Sequence, residues 1–300
     1  MIFSESPPPP GHRSAPLKAI YDVLAPAKLN LFLHITGRRT DGYHLLQSVF
    51  MLIDWCDTLH FELRHDGIIS RTDVRPTTDD ALPADDLTVR AARALQAATG
   101  TSLGVNISLE KRIPSQAGMG GGSSDAASCL RALQRLWGVY VSPEKLQDIA
   151  LTLGADVPFF LGEGHAWVEG IGEQLTPIQL PPAQFLVVKP PIGLSTPAIF
   201  AAPELKRDTP TATMRGFAAN DNGCIYGFGQ NDLQPVAEKL CAPLVQSLDW
   251  LATQGLQGRM TGSGSAVFAQ ILQDSMIPAA PSGWIVKKCK ILEAHPLAGW

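Results

Sequence analysis

The stretch richest in chemistry is Pro114-Ser115-Gln116-Ala117-Gly118-Met119-Gly120-Gly121-Gly122-Ser123-Ser124. Its four glycines leave backbone N–H groups open to close approach by an anion. A strand-like run precedes it and a helix-like run follows, so the positive end of that helix points at the same spot. Ser123 or Ser124 is placed to cap the helix or to bond a phosphate oxygen. A tight glycine turn with a serine cap is the plainer alternative, and the composition favours a phosphate-holding loop. It is not a Walker A loop, which needs Lys and then Ser/Thr after its last glycine, because Ser123 follows Gly122. Nor is it a dinucleotide fingerprint. Counted from Gly118, the third glycine position falls on Ser123, and Glu144 sits at a helix start rather than at the end of a second strand. A dinucleotide-dependent oxidoreductase is excluded on that spacing.

Two further places can do chemistry. In Gly154-Ala155-Asp156-Val157-Pro158-Phe159-Phe160 a lone carboxylate stands among apolar residues. It can accept a proton from a hydroxyl during phosphoryl transfer, or cap the turn before Pro158. In Lys28-Leu29-Asn30-Leu31-Phe32-Leu33-His34-Ile35 every second residue is aliphatic, which predicts a strand. Leu29, Leu31, Leu33 and Ile35 then share a core face, and Lys28, Asn30, Phe32 and His34 the other. Lys28 facing Asp156 would keep that carboxylate ionised and offset charge on a transferring group. The alternative for Lys28 is a solvated strand edge. His34 reads as a satisfied strand histidine.

The elements that must position these groups alternate without a strict βαβ order. A second strand is expected over Ser48 to Ile53. Leu87, Ala91, Leu95 and Ala98 mark a helix with Asp85 or Asp86 as cap and Gly100 as stop. Val105 to Leu109 alternates as a strand, and helices are expected from about Asp125 to Trp137 and from Pro143 onward. Phe185 to Val188 reads as a short buried strand. Residues 203 to 232 read as a long irregular connection. Pro235 opens a helix with Val236, Leu240, Leu244, Leu248 and Leu251 on one stripe, and a Gly-Ser turn at Gly262 to Ser265 leads into Ala266 to Ala269. The mixture predicts an α+β fold.

Composition bounds the partners. The chain has 300 residues, 45% hydrophobic and 17% charged, which suits about two folded domains and excludes wholesale disorder. A formal charge of −4 argues against a duplex nucleic acid partner. Cys56, Cys129, Cys224, Cys241 and Cys289 are odd in number and form no CxxC pair, so free thiols in a reducing cytoplasm are expected. No apolar run approaches the roughly 20 residues that span a bilayer, so no membrane partner is expected. Met1 to Pro16 carries Glu5 and Pro7 to Pro10 where a signal peptide needs an apolar core, and reads as a polyproline-like leader.

Four segments, in order, resemble the GHMP kinase superfamily. They are Ala25 to Leu31 with Gly37 to His44, the glycine loop, Gly154 to Phe160, and Thr261 to Ser265. Asp41-Gly42-Tyr43-His44 is similar to the branch that acts on a cytidine diphosphate-linked polyol. The resemblance implies a two-domain α+β kinase with its active site in the interdomain cleft. The leader would cover 1–20, an ATP-binding and catalytic domain 21–166, and a C-terminal domain 167–300. It implies ATP with Mg²⁺, and transfer to the 2-hydroxyl of 4-diphosphocytidyl-2-C-methylerythritol in the non-mevalonate isoprenoid route. It places Asp156 as base with Lys28 as its partner. Lys111 and the run Pro114 to Ser124 fall on the ATP side, and Asn30, Tyr43, His44, Thr196 and Phe200 on the substrate side. Ser115 and Gln116 stand where members often carry Met and Gly, Met119 replaces a frequent Leu, and Asp86 a common Asn. A mevalonate- or homoserine-type kinase and a non-catalytic nucleotide-binding homologue are the rival readings. Lys28 with Asp156 weighs against the latter. The sequence sets no oligomeric state.

Overall fold

The computed structural model describes residues 17–74, 82–219, 225–272, 275–276 and 279–300. Most of the expected leader, with Cys224, lies outside the described residues. Strand β1 (Ala19–Arg38) already begins within the leader's last two residues and pairs antiparallel with β2 (His44–Arg64). The first sheet adds β3 (Ile69–Asp73), β4 (Gly104–Glu110), β5 (Ala166–Glu169) and β6 (Gln174–Pro177), in the order β3-β4-β2-β5-β6 with β1 on β2. The second sheet has the order β10-β7-β9-β8, from β7 (Gln184–Lys189), β8 (Arg259–Met260), β9 (Val267–Ile271) and β10 (Ile285–Lys290). The expected boundary at 166 falls inside the first sheet, because the β5–β6 hairpin pairs onto β2.

Alternation in β1 does not separate core from solvent. Lys28, Asn30, Phe32 and His34 are buried as fully as the aliphatic set. Leu29 packs with Phe185, Val187 and Phe268 of the second sheet, and Leu33 and Ile35 join Leu186 and Val188 there. The strand thus lies between two bodies, and the expected solvated face is covered. Register shifts between Pro26 and Ala27 and between Asn30 and Leu33 bend it across them.

Helices α1 (Leu87–Thr99), α2 (Gly121–Trp137) and α3 (Pro143–Leu153) supply Ala91, Leu95, Leu130, Leu133 and Ile149 to the core they share with Phe61 and Ile107 of the first sheet. Asp86 caps α1: its Oδ1 accepts from Val89 N–H at 3.1 Å and pairs with Arg71 at 2.7 Å. Gly100 ends the helix in the left-handed region. Asp86→Ala should cost about 1 kcal/mol of stability, with Asp86→Asn retaining most of it. Denaturant unfolding measures this, and an unchanged midpoint in the alanine variant would remove the cap from the account.

Helix α2 starts at Gly121 rather than at Asp125, since Gly120 takes the N-cap position and no side chain caps it. Ser123 and Ser124 therefore lie inside the first turn and do not cap. The single stripe expected from Pro235 is broken into α7 (Gln234–Leu240) and α8 (Ala242–Thr253). Pro243 cannot continue a helix through Lys239, so Cys241 leaves helical geometry and Leu240 turns to solvent. The stretch 203–232 is mostly irregular in its described residues, with α6 (Met214–Ala218) inserted. The chain end returns to the first body, where Arg131 donates to Leu297 O at 2.5 Å.

Candidate active site

The glycine loop is held by its carbonyls. Ser265 N–H donates to Gln116 O (3.1 Å), Ala266 N–H to Ala117 O (3.2 Å) and Lys28 N–H to Met119 O (3.0 Å). With the carbonyls engaged by protein, the N–H groups at the uncapped start of α2 have no intrahelical partner and are available to an anion. Gly118 has φ +72°, and a Cβ there would fall inside the Thr261 carbonyl, so loop and third motif meet backbone to backbone. Gln116 sits at φ +51°, in the left-handed region. That conformation costs a side chain about 1–2 kcal/mol, and glycine at 193 leaves room for it: a Cβ there would lie 2.7 Å from Gln116 Cβ.

Three cavities run in a chain from this loop. One of about 320 Å³ is lined by Leu82, Asp86, Arg90, Lys111, Pro114, Ser115 and Gly118 to Gly122. A second, of about 340 Å³, is lined by Lys28, Asn30, Asp156, Thr196, Phe200 and Ser263, and shares Gly118 and Gly120 with the first. The third, about 520 Å³, is lined by Arg38, Asp41, Tyr43, His44 and Phe200, and shares Leu46, Ile171 and Phe200 with the second. A phosphate donor in the first cavity and a hydroxyl acceptor reaching in from the third would meet in the second.

Lys28 and Asp156 meet there. Lys28 Nζ lies 3.5 Å from Asp156 Oδ2, 2.5 Å from Asn30 Oδ1 and 4.7 Å from the centre of the Phe50 ring. Burial lowers the lysine's affinity for its proton, and Asp156 opposes that shift. Asp156 precedes α4 (Val157–Phe160) but makes no side-chain cap bond, which disposes of the capping alternative. Its carboxylate is 34% exposed and opens to the cavity.

Some expected ligand contacts turn out to be engaged within the protein. Asn30, expected on the substrate side, lines the second cavity, and its side chain also accepts from Lys28 and donates to Ser48 Oγ at 3.0 Å, which orients Lys28. Lys111 was expected to touch the nucleotide. Its ammonium bridges two buried carboxylates, Asp57 and Asp125, and the residue lines the first cavity beside Gly121. Asp57 also accepts from the N–H groups of Arg112 (2.5 Å) and Ile113 (2.8 Å), and burial pushes the Asp125 carboxyl up. Ser124 is fully buried with its hydroxyl unbonded, while Ser123 stays partly open. Thr196 bonds Ser263 at 2.6 Å and ties α5 (Thr196–Ala201) to the third motif. Tyr43 is 60% exposed at the cavity rim, and His44 packs on Phe200 at 5.1 Å. Sequence reading missed Asp57 and Arg207. Asp57 meets Lys111 only through the β2–β4 pairing, and Arg207 lies in the stretch that showed no pattern.

The comparisons agree with this geometry. Residues 86–164 match the GHMP kinases N terminal domain family and residues 214–275 the GHMP kinases C terminal family. A 4-diphosphocytidyl-2-C-methyl-D-erythritol kinase from Polaromonas naphthalenivorans is 73% identical over 290 residues, covering 96% of this chain and 98% of that protein. A crystal structure of a 4-(cytidine 5'-diphospho)-2C-methyl-D-erythritol kinase aligns with a TM-score of 0.68 at 35% identity, over 82% of this chain and 88% of the other. The L. major mevalonate kinase structure, at 15% identity, TM-score 0.63, and 93% and 99% coverage, shares the fold alone. High identity over nearly the whole length of both chains joins the two half-matches into one protein type, and the chain belongs to the 4-diphosphocytidyl-2-C-methyl-D-erythritol kinase family of GHMP kinases.

Proposed function

We propose that this chain transfers the γ-phosphoryl group of ATP to the 2-hydroxyl of 4-diphosphocytidyl-2-C-methyl-D-erythritol, a step toward isoprenoid precursors in the cytoplasm. The observation that carries the reading is the Lys28–Asp156 pair in the cavity joining the glycine loop to the Tyr43–His44–Phe200 pocket. ATP lies in the first cavity with its phosphates against the N–H groups of Gly118 to Ser123. Asp156 takes the proton of the acceptor hydroxyl as its oxygen bonds to the γ-phosphorus and the bond to the bridging oxygen of ADP breaks. Lys28 offsets the charge that builds on the transferring group.

Mg²⁺ would enter with the nucleotide, and the donor set fits an ion carried by phosphates. Among the described residues no three His, Cys, Asp or Glu side chains cluster to hold a metal, and the buried Ser124 hydroxyl is unbonded at the helix start. The hydroxyls of Ser123 and Ser124 and the Asp156 carboxylate are the oxygens the chain offers. When bound, the ion neutralises charge on the β- and γ-phosphate oxygens.

Coupled measurement of ADP release with the cytidine-bearing acceptor, mevalonate and homoserine tests the reading. Turnover with mevalonate alone would overturn it, and ATP binding without ADP release in the presence of any acceptor would point to a non-catalytic nucleotide-binding homologue. The pocket aromatics give a second test. Tyr43→Ala and Phe200→Ala should each lower kcat/KM for the acceptor about 10- to 100-fold and change the KM for ATP less than about twofold. Parallel losses for both substrates would assign the rings to the fold.

A further inference from the structure

The irregular connection 203–232 braces the cleft at two places. Arg207 reaches the acceptor side, where its Nε donates to His44 Nε2 at 3.0 Å. Asn231 and Asp232, at the end of the same stretch, reach the catalytic side. Their backbone runs beside β1: Leu33 N–H donates to Gln230 O at 2.9 Å, and Asp232 N–H to Leu33 O at 2.8 Å. The buried Asp232 carboxylate accepts from Ile35 N–H at 2.8 Å, and from the Thr209 hydroxyl and the Gln230 amide at 2.7 Å each. Asn231 holds the third motif instead. Its side chain is buried, and its amide nitrogen donates to Met260 O and to Gly262 O, each at 2.8 Å. Its amide oxygen accepts from Leu233 N–H at 2.9 Å, at the entry to α7.

The two carbonyls that Asn231 holds flank Thr261, whose hydroxyl accepts from Asn30 N–H at 2.9 Å. Gly262 has φ +53° and comes so close to the glycine loop that a Cβ on it would lie 2.6 Å from Gly118 O. Leu33, Leu233, Gly118 and Gly262 all line the second cavity, where Lys28 and Asp156 meet, whereas Asn231 does not. One short segment thus ties the strand that carries Lys28 to the turn on which the glycine loop rests.

We propose that Asn231 is a positioning residue for phosphoryl transfer: by holding both carbonyls that flank Thr261 it fixes the third motif against Gly118, and so aligns the phosphates with Asp156. It rests on the kinase reading of the site. Both partners are acceptors, so the position needs a side chain with two donors on one atom. An aspartate keeps the shape, loses both donors and sets an oxygen against two carbonyls in a buried site, which drives the turn away. Leu82, Asp86 and Arg90 of the first cavity, and Tyr43 and His44 of the third, stand on other elements and keep their places. The loss therefore belongs in the rate of transfer more than in the binding of either substrate.

Asn231→Asp should lower kcat about 10- to 100-fold, with the KM for ATP and for the acceptor each within about threefold of wild type. Thr209→Val is the matched control, because it removes a buried hydrogen bond to Asp232 and leaves the third motif alone. It should melt lower and keep wild-type kcat at temperatures where it is folded. In a Gly118→Ala background, where the loop has already left the third motif, adding Asn231→Asp should change kcat/KM for ATP less than about threefold. Asn231→Ala takes away the donors without opposing the carbonyls. It serves if the aspartate variant does not fold, with an expected loss of about tenfold. Phosphorus NMR of the bound non-hydrolysable analogue AMP-PNP needs no acceptor. Its γ-phosphorus resonance should move in Asn231→Asp and stay at the wild-type position in Thr209→Val. Wild-type kcat in both Asn231 variants overturns the proposal, as do losses that multiply in the double variant or an unmoved γ-phosphorus resonance. Wild type that binds AMP-PNP but does not phosphorylate the cytidine-bearing acceptor overturns the acceptor reading alone. Wild type that binds no AMP-PNP overturns both.

Discussion

Asp156→Asn should lower kcat about 10²- to 10⁴-fold while leaving the KM for ATP nearly unchanged. The amide keeps the shape of the carboxylate but cannot take the acceptor's proton. It also leaves Lys28 with only Asn30 and the Phe50 ring around a fully buried ammonium. The lysine's pKa, already lowered by burial and now without the opposing carboxylate, should fall further. A pH profile separates the two effects. In wild type, kcat should hold across the neutral range and decline on the alkaline side before the ordinary lysine range, as Lys28 gives up its proton. In Asp156→Asn what activity remains should decline at lower pH still, because the folded pKa is depressed further below the unfolded value. Steady-state kinetics over pH provide the measurement. A variant retaining more than about a tenth of wild-type kcat would reduce Asp156 to positioning.

What was legible in the sequence was local. Asp86 and Gly100 bracket α1 because cap and stop are chosen by the helix ends themselves. The glycine loop was readable because residue type already narrows its chemistry, whereas the roles of Lys28 and Asp156 came from the family resemblance, residue type alone leaving a solvated strand edge and a capping turn open. Roles that depend on partners distant in sequence were not readable. Lys111 sits beside the phosphate loop in sequence, but Asp57 from β2 claims its ammonium. Asn30 shares a strand face with Lys28, and only the fold shows that its amide also bonds Ser48 across the β1–β2 pair. The stripe after Pro235 failed for a different reason. Its apolar spacing continues through Pro243, and backbone sterics at proline override periodicity.

The second large effect is expected at Gly118, where catalysis depends on two backbones touching. Gly121 is the less telling position: its added Cβ would meet only side chains, Ile113 at 3.0 Å and Lys111 Nζ at 3.3 Å, which can shift. At Gly118 an added Cβ meets the Thr261 carbonyl and lies 2.9 Å from Gly264 N, and both are backbone atoms that cannot rotate away. The φ of +72° adds about 1–2 kcal/mol of strain for any side chain. The loop must then lift off the third motif, and with it the carbonyl bonds from Ser265 and Ala266 and the position of Gly120. Displacing bound phosphates by about 1 Å relative to Asp156 costs on the order of 10²-fold in rate. Gly118→Ala should therefore lower kcat/KM for ATP about 10²- to 10³-fold, together with a fall in Tm. Gly138→Ala is the matched control. It stands at φ +62° with nothing within 4 Å of the added Cβ, so it carries comparable strain at the far end of α2 without crowding. Gly138→Ala should melt lower yet keep nearly wild-type kinetics at temperatures where it is folded. Equal kinetic losses in both variants would trace the effect to general destabilisation, whereas loss confined to Gly118→Ala ties phosphate alignment to the contact between the loop and the third motif.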